Sequence, residues 1–324
     1  MKALVLAAGL GTRMRPLTFV KAKPVLPVLN RPLLHWTLEL LAAHGVREVM
    51  INLHHLPRTV RAAVGDGRAF GLKVAYSYER EILGTGGGPR KVRRWLGDEP
   101  FFLLNGDVVF DFDLTRLFRA HERSGAPATL ALLPNPDPRK YSAVVTGPDG
   151  RLRSIAGLPR PASGGAVSMF PGVHVLDPAL LDRLRPGPSD TVRDLYVPLI
   201  TEGRPPLGLR LRGPWYDLGS PSLYLASHQS LLASRFRGIR RGSVIHPEAR
   251  VHPRARVTRS AVGKGAVIEQ GAEVRGSVLW DRVTVGRDAV VDASILATGV
   301  RLAEGEALDH AVLMKDQPLA ELAR

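Results

Sequence analysis

Two periods of apolar residues divide the chain. Residues 1 to about 220 alternate short apolar runs with amphipathic stretches, the pattern of an α/β domain built on a buried, mostly parallel sheet. It predicts strands at Lys2 to Leu6, Glu48 to Asn52, Lys73 to Tyr76, Phe101 to Leu104, Thr129 to Leu133 and Leu207 to Leu211. Helices are predicted at Pro32 to Ala43, about Leu56 to Val64, Gly88 to Leu96, Leu114 to Arg123, Pro178 to Arg183 and Val192 to Thr201. The turn Thr146-Gly-Pro-Asp-Gly150 separates Tyr141 to Val145 from Arg151 to Ile155 and reads as an antiparallel hairpin. Helical spacing in Ser222 to Phe236 marks a bridge, giving expected domains at 1–221 and 241–324 with a helical linker at 222–240.

After Arg241 the period changes. Aliphatic residues fall at Ile245, Val251, Val257, Val262, Ile268, Val274, Leu279, Val285, Val291, Leu296, Leu302, Leu308 and Leu313, at intervals of 6, 6 and 5. The repeat is therefore 17 residues, and the tripeptides SVI, SAV, SVL, SIL and AVL recur at the same interval. One inward aliphatic every five or six residues fits a solenoid of three short strands per coil, a parallel β-helix. The pattern resembles the hexapeptide-repeat left-handed β-helix, and the handedness comes from that resemblance. The apolar stack needs covers at its ends, for which Ser222 to Phe236 and the tail Lys315 to Arg324 are the candidates.

Composition narrows the function. The 324 residues contain no cysteine, which excludes thiol nucleophiles and sulfur-ligated zinc. The opening apolar run is too short for a signal segment and no stretch reaches about 18 apolar residues, so no membrane partner and a cytoplasmic location are expected. The net charge of +15 invites a nucleic-acid reading. Residues 240–324 hold 13 basic and 11 acidic side chains, which leaves the excess in the first domain, and aromatic residues are only 6%. Without dense basic runs and aromatic platforms, a domain that handles small phosphorylated ligands is the better account, and no nucleic-acid partner is expected.

The chemistry is concentrated at Leu6-Ala-Ala-Gly-Leu-Gly-Thr-Arg-Met-Arg-Pro-Leu-Thr18, followed by Lys21-Ala-Lys-Pro24. Small residues directly after a buried strand let backbone N–H groups approach a phosphate or base. The string is neither a G-x-G-x-x-G fingerprint nor a P-loop. It resembles the signature of the sugar-1-phosphate nucleotidylyltransferases, and Leu83-Gly-Thr-Gly-Gly-Gly88, Asn105-Gly-Asp107 and Trp215-Tyr-Asp-Leu-Gly-Ser220 follow in the same order. The resemblance implies a Rossmann-like, mostly parallel mixed sheet followed by the left-handed β-helix. It also implies transfer of a nucleotidyl group from a nucleoside triphosphate to a sugar 1-phosphate, with pyrophosphate as product.

Carried over residue by residue, the resemblance makes Arg13, Lys23, Asp107 and Asp217 catalytic. Arg13 and Lys23 would hold the phosphates, with Lys21 and Arg15 as lesser cations, and Asp107 and Asp217 would hold Mg²⁺. Leu6, Ala7, Ala8, Gly9, Gly11, Thr12, Thr85, Gly86, Asn105 and Gly106 join Arg13, Lys23 and Asp107 around the nucleotide, and Tyr141, Gly172 and Asp217 receive the sugar phosphate. Glu79 and Glu81 are expected as surface charges, and Asp111 and Asp113 as the start of the helix at Leu114. Relatives often carry Glu-Lys-Pro, Asn-x-Gly and Tyr-Gly where this chain has Ile155-Ala-Gly-Leu-Pro-Arg160, Phe170-Pro-Gly172 and Tyr141-Ser142.

The leading expectation is a mannose-1-phosphate guanylyltransferase. A uridylyltransferase for glucose, N-acetylglucosamine or N-acetylmuramate 1-phosphate is the first alternative. Others are a bifunctional enzyme with an acyltransferase β-helix, using His246, His252 or His310, and a non-catalytic regulatory subunit that binds a nucleotide sugar. The β-helix is expected to assemble a homo-oligomer without doing chemistry, so that a chain ending near Arg237 would keep some activity.

Overall fold

The computed structural model describes residues 1–160, 164–234, 236–239, 241–317 and 319–322. The chain forms two compact units, one of Met1–Gly9 and Leu34–Trp215, the other of Leu10–Leu33 and Tyr216–Arg324.

The first unit holds a seven-stranded sheet. Its strands are β1 (Lys2–Leu6), β2 (Glu48–Leu53), β3 (Lys73–Tyr78), β4 (Phe101–Asn105), β5 (Ala128–Leu132), β6 (Val173–Leu176) and β7 (Leu207–Arg210). Their order is β7-β5-β6-β4-β1-β2-β3. β1 pairs in parallel with β2 and β4, β2 with β3, and β5 with β7, while β6 runs antiparallel between β4 and β5. Phe101, Phe102, Leu103 and Leu104 are all fully buried, as expected of a strand covered on both faces. The strand β6 was absent from the sequence reading.

Helices α1 (Leu33–Ala43), α2 (Pro57–Val64), α3 (Gly84–Lys91) and α4 (Leu114–Ser124) connect the strands. Asp113 caps α4, its Oδ1 accepting the Arg116 N–H at 2.8 Å, while α3 begins four residues earlier than the glycine run suggests. The predicted hairpin is present as Ala143–Thr146 and Leu152–Ile155, joined by a third antiparallel strand, Ala166–Met169.

In the second unit the 17-residue coil is explicit in the strand register. Val244 pairs with Ala261, Ala261 with Val278, Val278 with Ile295, and Ile295 with Val312. Three parallel sheets result, of six, four and four strands, the sixth strand of the first being the antiparallel Ala320–Glu321. The predicted inward residues Val262, Ile268, Val274, Leu279, Val285, Val291, Leu296, Leu302 and Leu308 form one buried core. Val251, Val257 and Leu313 are partly buried against it, and Ile245 is 42% exposed. Helix α5 (Pro221–Ala233) runs beside the coils, its Gln229 Nε2 donating to the carbonyls of Gly276 at 2.7 Å and Arg259 at 3.2 Å. Of the tail, Leu322 is buried and Leu319 is exposed; Pro318 and residues 323–324 lie outside the described residues, as does Arg235 of the predicted bridge.

Candidate active site

In the first unit, the carboxyl ends of β1 and β4 bring several of the predicted residues together. Leu6 and Asn105 are register partners. The Gly106 N–H donates to the Leu6 carbonyl and the Asn105 N–H to that of Gly172, both at 2.9 Å. Gly172 has φ of 80°, and a Cβ there would lie 2.3 Å from Asn105 Nδ2, so only glycine leaves room for that side chain. Thr85 Oγ1 donates to Asp190 Oδ2 at 3.0 Å and accepts the Thr191 N–H at 2.9 Å. Leu6, Thr85, Asn105, Phe170, Gly172 and His174 line a cavity of about 200 Å³. Phe170, Asp190 and Val192 join it to a second of about 450 Å³, where Lys140, Tyr141, Ser142 and Arg193 stand. Asp107 is half-buried, just beyond β4.

Ala7 and Ala8 are buried and Gly9 faces open space. The Ala7 N–H donates to Asn52 Oδ1 at 2.6 Å, Asn52 Nδ2 donates to Glu79 Oε1 at 2.8 Å, and Glu79 Oε2 accepts the Leu83 N–H at 2.9 Å. Glu79 is 1% exposed, which corrects the expectation of a surface charge; Glu81 is exposed as expected. A Cβ on Gly88 would lie 2.8 Å from Glu79 Oε1 and 2.9 Å from Asn52 Nδ2. Gly88 therefore makes space for this pair, while Gly86 and Gly87 make space for the close approach of Ser189 and Gly187.

Two further groups escaped the sequence reading. Burial lowers the His174 pKa to about 3, and its Nδ1 is paired with the Tyr196 hydroxyl, itself raised well above its usual range by burial. The Trp215 indole N–H is buried with no hydrogen-bond partner among the described residues, and its ring meets that of Tyr141 edge-on at 5.2 Å. The aromatic Trp-Tyr-Asp string was a signal for the motif, but nothing in it shows an orphaned donor.

In the second unit, Gly11 precedes a single 3₁₀ turn, Thr12–Met14, that buries Met14 and leaves Thr12 and Arg13 exposed. Thr18 Oγ1 donates to the Gly11 carbonyl at 2.8 Å and closes this loop. Arg15 lies over the Phe19 ring at 5.2 Å, a local use that keeps it below Arg13 as a ligand candidate. Lys23 opens a later 3₁₀ turn, Lys23–Val25, and is only 7% exposed.

Asp217 is half-buried just before α5, where Ser227 Oγ donates to its carbonyl at 3.1 Å. A Cβ on Gly219 would lie 2.9 Å from its Oδ1, so the glycine leaves the carboxylate its place. Among the described residues no three His, Cys, Asp or Glu side chains gather into a metal site. Asp107 and Asp217 each carry carboxylate oxygens, the donor type that suits a hard cation such as Mg²⁺.

Residues 2–234 match the nucleotidyl transferase family, and residues 234–322 match the GlmU-like C-terminal hexapeptide family. The chain belongs to the nucleotidyl transferase family and carries a C-terminal left-handed hexapeptide β-helix. A mannose-1-phosphate guanylyltransferase of Mycobacterium tuberculosis is 32% identical over 90% of this chain and 82% of its own. A UTP–glucose-1-phosphate uridylyltransferase of Synechocystis is 29% identical over 95% of this chain and 86% of its own. Among solved structures, one described as a glucose-1-phosphate thymidylyltransferase from Bacillus anthracis aligns with a TM-score of 0.62 at 20% identity, covering 73% of this chain and 97% of that one. It shares the fold. The activity class is sugar-1-phosphate nucleotidyl transfer, and no described helix is long and apolar enough to cross a membrane.

Proposed function

We propose that the protein makes GDP-mannose from GTP and mannose 1-phosphate, releasing pyrophosphate. The observation that carries this choice is the likeness, over nine-tenths of the chain, to a mannose-1-phosphate guanylyltransferase, repeated at 32% identity over 69% of the chain in the catalytic subunit beta of Danio rerio. Glucose 1-phosphate with UTP is the second reading, favoured by the Synechocystis relative. The test is a matrix of nucleoside triphosphates against sugar 1-phosphates with pyrophosphate release as readout. The highest kcat/KM on any pair other than GTP and mannose 1-phosphate would overturn the choice.

In the proposed reaction a phosphate oxygen of the sugar 1-phosphate bonds to the α-phosphorus. The bond from that phosphorus to the bridging oxygen breaks, and pyrophosphate leaves with the electron pair. The attacking oxygen is ionised at neutral pH, so the protein's task is positioning and charge neutralisation. Arg13 and Lys23 serve the phosphates; Asp107 and Asp217 would hold Mg²⁺, which would lower the repulsion between the two anionic substrates. The backbone of Leu6 to Gly9, with Gly11, Thr12, Thr85, Gly86, Asn105 and Gly106, receives the nucleotide, and Tyr141 and Gly172 the sugar.

Asp107→Asn and Asp217→Asn, which keep size and remove charge, are expected to lower kcat by about 100-fold or more without moving the melting temperature. Chelation of divalent cations should abolish turnover reversibly, and full activity of either variant at saturating Mg²⁺ would sink the metal assignment. Arg13→Ala and Lys23→Ala should lose turnover more than stability. Acyl transfer draws no support from the β-helix. Its 17-residue register admits no inserted loop from Val244 to Leu313, and His246 and His252 spend their Nδ1 atoms accepting the N–H of Glu248 and Arg254 at 3.1 Å.

A further inference from the structure

From Leu10 on, the signature segment does not fold with the sheet that precedes it. Leu10–Leu33 belongs to the same compact unit as α5 and the β-helix, and a set of specific hydrogen bonds accounts for this. Four residues after Lys23 the chain enters a two-residue hairpin, Pro27–Val28 against Arg31–Pro32. Its turn residues Leu29 and Asn30 have φ of 51° and 65°. The left-handed region is unfavourable for leucine and needs support from its surroundings.

That support comes from α5 and the coils. The Leu29 N–H donates to His228 Nε2 at 3.2 Å. Asn30 Nδ2 donates to the carbonyl of Val262 at 2.7 Å and to that of Val244 at 3.2 Å, on two successive coils. The Tyr224 hydroxyl donates to the Pro27 carbonyl and accepts the indole N–H of Trp280 at 3.1 Å. A continuous path thus runs from the third coil through α5 to the hairpin beside Lys23.

Trp280 breaks the β-helix pattern in a way that fits this task. The equivalent positions in neighbouring coils, Gly263, Ala297 and Met314, are buried as well but carry no side-chain hydrogen-bond donor, so the third coil differs by a large ring with an N–H. Tyr224 and His228 are likewise buried. A module that only assembles subunits has no need for one coil to send an indole into the support of a loop over 250 positions earlier in the sequence.

We propose that the β-helix is a working part of the catalytic centre, with Asn30, Tyr224 and Trp280 acting as positioning residues that hold the Arg13 and Lys23 loop in its reactive arrangement. The proposal rests on the nucleotidyl-transfer reading above. It also revises the expectation that the first domain retains its activity when the coils are removed, because the loop's anchors lie in the coils.

The test uses the full chain. Asn30→Gly removes the amide while keeping an αL-tolerant residue, and Tyr224→Phe removes one hydroxyl. The double variant is expected to lose about tenfold or more in kcat, as misplacement of reacting groups does, with KM for the sugar 1-phosphate within about twofold of wild type. Hydrogen exchange over residues 10–33 should accelerate. Val291→Ala, a β-helix core truncation that removes none of these hydrogen bonds, should lower the melting temperature and leave kcat unchanged. Wild-type kcat and wild-type loop exchange in the double variant would overturn the proposal, as would an equal loss of kcat in Val291→Ala. If the wild-type protein transfers no nucleotide at all, the functional reading fails separately and loop exchange alone decides: faster exchange in the double variant supports the anchoring, unchanged exchange refutes it.

Discussion

Glu79 shows what a single position can hide. Its two carboxylate oxygens accept from Asn52 and from the Leu83 N–H, while the other side of Asn52 accepts the Ala7 N–H, so one buried acid ties the first glycine loop to the start of α3. A glutamine in its place presents an amide to one of the two donors, and a buried group left without its acceptor costs about 1–3 kcal/mol. Glu79→Gln is therefore expected to lose stability of that order in urea melts and to raise KM for the nucleotide severalfold, because both loops lean on the pair. Unchanged melts and KM would show that the network carries no weight. This residue was illegible in the sequence because its burial depends on a partner 27 positions away and on the missing side chain of Gly88. Asp113, by contrast, was legible, since a cap is local and an aspartate just before an amphipathic run has few other uses.

At the level of elements the same division between local and distant causes holds. β1, β2 and β4 are apolar runs whose neighbours in the sheet do not alter their character, and the sequence marks them plainly. β6 is only four residues with a histidine inside, and its place between β4 and β5 is set by strands far along the chain. α3 contradicts intrinsic preference, because its four glycines disfavour a helix and only the close approach of residues 187–189 and of Glu79 explains them.

The β-helix repeats its own explanation every 17 residues, including the serines that begin four of the five tripeptides. Ser260, Ser277 and Ser294 each donate to the carbonyl two residues back, and their Oγ atoms accept the N–H of Ser277, Ser294 and Ala311 at 3.0 Å. All three are fully buried. Ser277→Ala should strand the Ser294 N–H at a buried corner and cost about 1–3 kcal/mol, far more than removing a surface hydroxyl. A thermal melt of that variant indistinguishable from wild type would remove the ladder from the account of why these coils stack.

For the molecule as a whole, a linear reading sets boundaries along the chain and has no signal for a segment such as Leu10–Leu33, whose Leu29 bonds to a residue 199 positions away. Each of the two units also buries a neutral histidine, and this couples overall stability to pH. Burial holds His174 near about 3 and His228 near about 4. The His228 Nδ1–H donates to the Tyr224 carbonyl at 2.8 Å while Nε2 accepts from Leu29, so a second ring proton would face an N–H donor. In the unfolded chain both histidines titrate near about 6.5. Because the folded values lie below that, the unfolded state takes up protons first as pH falls. Stability is then fully present above about pH 6.5 and declines below it, by up to about 1.4 kcal/mol per pH unit for each group, until the folded values are reached. Between pH 6.5 and 5 most carboxylates remain ionised, so the decline in that window belongs to the histidines. Urea melts at pH 7.5, 6 and 5 should show it, and His228→Gln should have a shallower slope than wild type. A flat profile across that window would mean that neither ring is held neutral by its burial.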